Sequence, residues 1–159
     1  TPTTTTPTTT TVTTETTTPF PSECLTAINL TESWRLDHSG SHIRPFNGDY
    51  NKDFKNMVAE RRPWFRFSGH AGNKLADFCV PTWSCGTAAT MWSNSVMPYR
   101  IGAVTQITIY AHAGPPFKCD RLRLRGSVMM CSSVANDFIY RYDDNFNGGD
   151  HYGFCGMNA

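Results

Sequence analysis

Six cysteines are the residues of this chain whose type and number point most directly to chemistry. They stand at Cys24, Cys79, Cys85, Cys119, Cys131 and Cys155. No two of them form a C-x-x-C pair, and no pair of histidines stands beside a cysteine pair, so the short ligand spacing of a structural zinc site is missing. An even number of cysteines spaced in this way is typical of disulfides formed in an oxidising compartment. Six half-cystines allow fifteen pairings, and the residues alone leave all of them open.

The loop of residues 143–150 contains a second group of candidate ligands. Asp143, Asn145 and Asn147 alternate ahead of Asp150, as oxygen ligands do in the first half of an EF-hand calcium loop. The match ends at the twelfth position, where Phe154 replaces the bidentate glutamate. We therefore favour a solvated hairpin loop of turn-forming residues. A calcium site built from these four side chains, which would link calcium to stability, stays as the alternative.

Three arginines alternate with leucines and would share one face of a strand. They are Arg121, Arg123 and Arg125. Guanidinium groups match the oxygens of sulfated or sialylated glycans, which predicts a ligand-binding face. The competing interpretation, which we favour, is a solvated face neutralised by neighbouring acids.

The sequence contains no recognisable catalytic motif. There is no Gly-x-Ser-x-Gly elbow, no His-Glu-x-x-His and no phosphate-binding glycine loop. We predict that the protein is not an enzyme and that, calcium aside, it needs no cofactor.

The composition divides the chain into a tail and one domain. Residues 1–19 contain fourteen threonines and three prolines, which predicts a disordered, mucin-like linker. We favour O-glycosylation of its threonines, such as Thr3, Thr8 and Thr13, over a bare flexible linker. Residues 20–159 would then form a single domain of ordinary size. Its one N-glycosylation sequon begins at Asn29, and such a sequon is either used or silent.

Charge and hydropathy narrow the possible partners. The formal net charge is +1, which predicts no nucleic-acid partner. No run of eighteen apolar residues is present, so no membrane insertion by this segment is expected. The chain opens on threonines instead of a signal sequence, which predicts that it is a piece of a longer secreted or surface protein.

Short runs of mostly β-branched or aromatic residues, two of which alternate in polarity, would position the cysteines. They cover residues 64–68, 103–110, 122–125, 128–130 and 138–142, with glycine, proline and asparagine between them. This pattern predicts a mainly β, disulfide-stabilised, antiparallel and sandwich-like single domain with little helix, preceded by the disordered tail.

Several short motifs occur together in a fixed order. They are Trp34-Arg35, Trp64-Phe65-Arg66-Phe67, Cys79-Val80-Pro81, Thr87-Ala88-Ala89 with Met91-Trp92, and Phe154-Cys155. With them the chain resembles the cysteine-rich domain of the uromodulin family over about residues 24–155. Four further half-cystines of the family pattern have no counterpart here. The resemblance implies the pairs Cys24–Cys131, Cys79–Cys119 and Cys85–Cys155.

The resemblance also implies a role. We expect a non-enzymatic extracellular structural or adhesion module of a larger secreted or cell-surface glycoprotein. Its partners would be neighbouring extracellular modules and matrix or surface glycoproteins. The alternative is a module that binds carbohydrate or protein.

Overall fold

The computed structural model describes residues 19–40, 62–144 and 151–159, together with Pro2. The predicted linker at residues 1–19 therefore lies almost entirely outside the described residues, as do Thr3, Thr8 and Thr13. Nine strands and one short helix occur in the described part of the chain. In order they are α1 (Ser22–Thr26), β1 (Ile28–Leu30), β2 (Phe65–Phe67), β3 (Lys74–Leu75), β4 (Ala89–Trp92), β5 (Val104–Ala113), β6 (Lys118–Ser132), β7 (Asp137–Tyr142), β8 (Tyr152–Phe154) and β9 (Gly156–Met157). Two 3-10 turns lie at Ser33–Leu36 and Gly69–Ala71.

Seven of these strands form one sheet in the order β1-β2-β7-β6-β5-β4-β8, and β3 pairs with β9 as a separate ribbon. The mainly β prediction with little helix is confirmed. Most pairs are antiparallel, but β1 runs parallel to β2, and β4 runs parallel to β8. Alternation of residue types does not report strand direction, so the sequence pattern could not show these two parallel pairs.

Strand β6 is longer than the pattern indicated. The two predicted runs at residues 122–125 and 128–130 are one continuous strand that passes through Gly126. A Cβ built at Gly126 would lie 2.6 Å from the Ile109 side chain and 3.0 Å from the Arg141 carbonyl oxygen. The absence of a side chain at Gly126 therefore lets β5 and β7 pack closely against β6. This glycine is not a turn residue.

An aromatic cluster fills the main core between the sheet and the ribbon. Phe65 is fully buried, with ring centroids 4.7 Å from Phe154 and 5.9 Å from Tyr140. The backbone N–H of Leu75 in β3 donates to the Tyr140 hydroxyl in β7 at 3.2 Å. Burial raises the pKa of Tyr140, so this hydroxyl stays protonated. The ribbon is thus fastened to one face of the sheet.

Arg35 is a charged residue of the core. Its side chain is 2% exposed, its Nε donates to Glu32 Oε2 at 2.9 Å, and its Nη1 donates to the Phe154 carbonyl oxygen at 3.1 Å. The guanidinium also lies 4.3 Å from the centroid of the Trp34 ring. Burial raises the pKa of the Glu32 carboxyl, but the hydrogen bond and the charge of Arg35 outweigh burial, and the pKa lies below the ordinary 4.5.

Substitution of Glu32 by glutamine tests this pair. A lowered pKa in the folded state means that the ionised carboxylate stabilises the fold above pH 4.5, and that this contribution is lost as the pH falls through the folded pKa. We expect Glu32→Gln to lower the free energy of unfolding by about 1–2 kcal/mol at pH 6, because Glu32 is part exposed while the guanidinium it neutralises is buried. The difference from the wild type should shrink between pH 5 and pH 3 in urea titrations.

The matched control is Asp120→Asn, which breaks the surface pair of Asp120 with Arg123. An exposed pair of this kind contributes little, so no measurable change is expected at pH 6. Equal effects of the two substitutions would contradict a special role for the pair of Glu32 with the buried Arg35.

Candidate functional site

Three disulfides join segments that are far apart in sequence. Cys24 pairs with Cys131, Cys79 with Cys119, and Cys85 with Cys155. These are the partners that the family resemblance implies. No described cysteine is free.

Each bridge fastens a peripheral segment to the large sheet or to its C-terminal strands. Cys24 in α1 reaches Cys131 in β6, where both sulfurs pack against Met129 and Ile139. This bridge ties the start of the domain to the longest strand. The two cysteines are 107 residues apart in the sequence, so no local sequence pattern indicates that they pair.

The second and third bridges hold the segment between β3 and β4. Cys85 joins Cys155, the residue between β8 and β9, and both are fully buried. Cys79 joins Cys119 near the start of β6, where Cys119 is exposed and Cys79 half-buried. The segment is thereby fixed to both the C-terminal strands and the β5–β6 hairpin.

His112 in β5 adjoins the exposed bridge. Its Nδ1 lies 2.8 Å from the Val80 carbonyl oxygen and 3.5 Å from Cys79 Sγ. Within the described ranges, Cys79, His112 and Cys119 are the group whose ligand atoms lie close enough to hold a metal, within 4.8 Å of one another. Both sulfurs are committed to a disulfide, so they are not thiolate ligands in this state. Sequence reasoning missed His112, because its approach to Cys79 is a tertiary contact.

The three arginines of the predicted binding face lie on β6 and are exposed. Arg123 pairs with Asp120 at 2.7 Å, and Arg125 donates two hydrogen bonds to Asp144 Oδ1 at 3.2 and 3.1 Å. These pairs lower the pKa of both acids, chiefly through hydrogen bonds: from the Arg123 side chain to Asp120, and from the Arg125 backbone to Asp144. Two of the three charges are therefore neutralised by neighbouring acids.

Asp143 is the one predicted calcium ligand that the structure describes. Its carboxylate accepts hydrogen bonds from the Ser127 hydroxyl at 2.5 Å and from Arg141 Nε at 2.7 Å. Asn145, Asn147 and Asp150 lie outside the described residues. A calcium ion at Asp143 would have to compete with the Arg141 guanidinium, so the calcium site stays a prediction.

Asn29 occupies the middle of β1, the terminal strand of the large sheet as described. Its side chain is exposed, and Thr31 of the same sequon is exposed as well. A glycan there would be accessible to solvent and would lie along a sheet edge, a position where bulky polar groups hinder pairing with other chains.

A small cavity lies beside the β3–β9 ribbon and has a volume of about 230 Å³. Most of its lining residues are polar; they are Lys74, Leu75, Asp77, Ser93, Asn94, Ser95, Met97 and Tyr140. Lys74 Nζ lies 2.7 Å from Asp77 Oδ2 at this cavity. No pattern in the sequence indicated the cavity, because its lining comes from three separate segments.

Comparison with known proteins defines the class. A family model of a uromodulin-like domain matches residues 65–155, more than half of the chain, and the chain belongs to this family. Among individual proteins, it is 35% identical to mouse uromodulin over 89 residues, which is 56% of this chain and 12% of that protein.

The chain is also similar to the pancreatic secretory granule membrane major glycoprotein GP2. Dog GP2 is 32% identical over 53 residues, or 33% of this chain and 10% of the relative, and human GP2 is 37% identical over 49 residues, or 31% and 9%. The matches thus span about a tenth of the length of the relatives. Within the described residues, no helix is both long enough and apolar enough to cross a membrane.

Proposed function

We propose that this chain is a non-catalytic extracellular module that serves as a rigid structural or adhesion unit within a larger secreted or cell-surface glycoprotein. The observation that carries this proposal is the placement of the three disulfides. They join the N-terminal helix, the segment between β3 and β4, and the C-terminal strands into one crosslinked body. Crosslinks over long loops restrict the unfolded chain and suit a protein that lives outside the cell.

Membership of a family that includes a granule-membrane glycoprotein supports the same setting. The exposed sequon at Asn29 and the threonine-rich tail supply attachment points for glycans. The tail would then act as a stalk, stiffened by O-linked sugars, that holds the domain away from its neighbours. The partners of the domain would be adjoining extracellular modules and matrix or surface glycoproteins.

Limited proteolysis of protein produced through a secretory pathway tests the proposal. Digestion with proteinase K should spare residues 62–144 for as long as the disulfides are intact, because local opening is needed before the chain fits a protease. Mass spectrometry should find hexosamine on the tail threonines and on Asn29.

The control is the same protein after reduction and alkylation, which should be cleaved throughout the domain. If the oxidised protein is digested as fast as the reduced protein, the rigid-module proposal is wrong. Absence of tail sugars would contradict the stalk and leave the domain proposal to stand on the proteolysis.

A second candidate is a carbohydrate-binding module, favoured by the cavity beside the ribbon. Its volume of about 230 Å³ is below that of typical small-molecule sites, which suits a single sugar ring rather than a larger ligand. The Lys74–Asp77 pair and the exposed Asn94 side chain offer donors and acceptors to hydroxyl groups.

A glycan array on the full chain tests this candidate. Binding should be lost in Asn94→Trp, which places a large ring at the exposed edge of the cavity, and kept in Val134→Trp, at an exposed position between β6 and β7 that does not line the cavity. Binding lost instead in Arg121→Ser would assign the ligand to the arginine face. A negative array would remove both binding sites and leave the structural role.

A further inference from the structure

The three disulfides differ sharply in their access to solvent. The residues of two bridges are nearly inaccessible, with Cys24 at 3%, Cys131 at 1%, and Cys85 and Cys155 at 0% exposure. Cys119 is exposed at the start of β6. Thiol–disulfide exchange requires that an attacking thiolate reach one sulfur of the bridge. In the described part of the chain, Cys79–Cys119 is therefore the bridge that a thiolate reaches most easily, and Cys119 is the more exposed of its two residues.

The partner sulfur has a hydrogen-bond donor beside it. Because the Val80 carbonyl can only accept a hydrogen bond, the contact at 2.8 Å places a proton on Nδ1 of His112. The same N–H lies 3.5 Å from Cys79 Sγ. A thiolate that forms at Cys79 would accept this hydrogen bond, and a hydrogen bond to the charged form favours that form.

The charges around Cys119 favour one class of thiol. Lys118, Arg121 and Arg123 are all exposed and close to it in sequence, while the one acid among them, Asp120, is paired with Arg123 at 2.7 Å. The excess of positive charge in this segment attracts anions toward Cys119.

We propose that Cys79–Cys119 is an exchange-labile bridge that captures small anionic thiols at Cys119. The sulfur of the incoming thiolate bonds to Cys119 Sγ, the Cys79–Cys119 bond breaks, and its electron pair leaves on Cys79 Sγ as a thiolate hydrogen-bonded to His112. One disulfide replaces another, so no oxidant is consumed. The proposal goes beyond the structural role, because it assigns a reaction to one of the three bridges while the other two stay closed.

The test begins with brief exposure of the full oxidised chain to 2-mercaptoethanesulfonate, followed by iodoacetamide and peptide mapping. The expected product carries the mixed disulfide on Cys119 and the alkyl group on Cys79, with the other four cysteines still bridged. Reaction first at Cys24–Cys131 or Cys85–Cys155, or an adduct on Cys79, would overturn the proposal.

Variants of His112 test the role of its N–H. His112→Leu should slow exchange at this bridge about tenfold, the factor that corresponds to one lost hydrogen bond to a charged group. His112→Asn keeps an N–H near the Nδ1 position and should stay within about twofold of the wild type. A substitution that merely loosened the segment would speed the reaction by exposing Cys79. An unchanged or faster rate in His112→Leu therefore counts against the proposal, and His70→Leu serves as the control with an unchanged rate.

The choice of thiol tests the charge argument. Rates with 2-mercaptoethanesulfonate and with the cationic thiol cysteamine are each divided by the rate of the same thiol toward a small uncharged disulfide. The corrected ratio should favour the anion, and Arg121→Ser should reduce that preference about twofold. A preference for cysteamine would refute capture of anionic thiols.

Discussion

Replacing Cys24 and Cys131 together by alanine is expected to lower the free energy of unfolding by about 5 kcal/mol. The bridge closes a loop with a sequence separation of 107 residues, and the chain-entropy model assigns about 4.7 kcal/mol to a loop of that size. Both residues are also buried against Met129 and Ile139, so the shorter side chains leave a small cavity that adds to the cost. A loss of this size is comparable to the whole stability of a marginal domain.

Urea denaturation followed by circular dichroism at neutral pH measures this loss, and the double substitution avoids a free thiol. The matched control is the double alanine variant of Cys79 and Cys119. That bridge closes a shorter loop, with a separation of 40 residues, and is not fully buried, so a loss of about 4 kcal/mol without a cavity contribution is expected. An equal or larger loss in the control would show that burial of the Cys24–Cys131 bridge adds nothing.

Substitution of Gly156 by alanine should cost about 3 kcal/mol or more. A Cβ added at Gly156 would overlap the Ala71 carbonyl oxygen and lie 2.9 Å from the Phe67 ring. The first of these atoms belongs to the backbone, so it cannot move aside by a change of rotamer, and β9 would have to shift away from the sheet. That shift would strain the pairing of Gly156 with Leu75 and the 2.7 Å hydrogen bond from His38 to the Gly156 carbonyl.

Gly69→Ala is the matched glycine substitution, and thermal unfolding of both variants provides the measurement. Gly69 has a φ of +58°, but a Cβ there would meet no atom within 4 Å. Its cost should be that of the left-handed conformation alone, about 1 kcal/mol. If Gly156→Ala is no more destabilising than Gly69→Ala, the close approach of β9 to Ala71 is not a constraint on the fold.

Predictions from the sequence succeeded where the physical cause is local. Aromatic and β-branched residues favour strands, and the predicted run at residues 138–142 coincides with β7, where Phe138, Ile139 and Tyr140 are all buried. Residues 103–110 fall almost entirely within β5 for the same reason. The runs at residues 122–125 and 128–130 were separated at Gly126, because close packing of three strands and a turn require the same residue type.

The contacts of the charged residues, in contrast, could not be predicted from local sequence patterns. Arg35 was noticed only as part of a motif, yet it is buried because the Phe154 carbonyl, 119 residues away, needs a donor. The exposed arginines were correctly placed on one strand, but Asp144, the partner of Arg125, comes from the segment after β7. Neither contact leaves a pattern in neighbouring residues.

The sequence by itself therefore determined the class of the protein: a disulfide-linked, mainly β domain of the uromodulin-like family. Composition, period and short motifs report local preferences, and those were sufficient for that conclusion. Only the tertiary structure decided which strands run parallel, which bridge is accessible, and that His112 lies beside Cys79. These features depend on how distant segments pack, and packing is fixed by burial and pairing across the whole chain rather than by any one stretch of it.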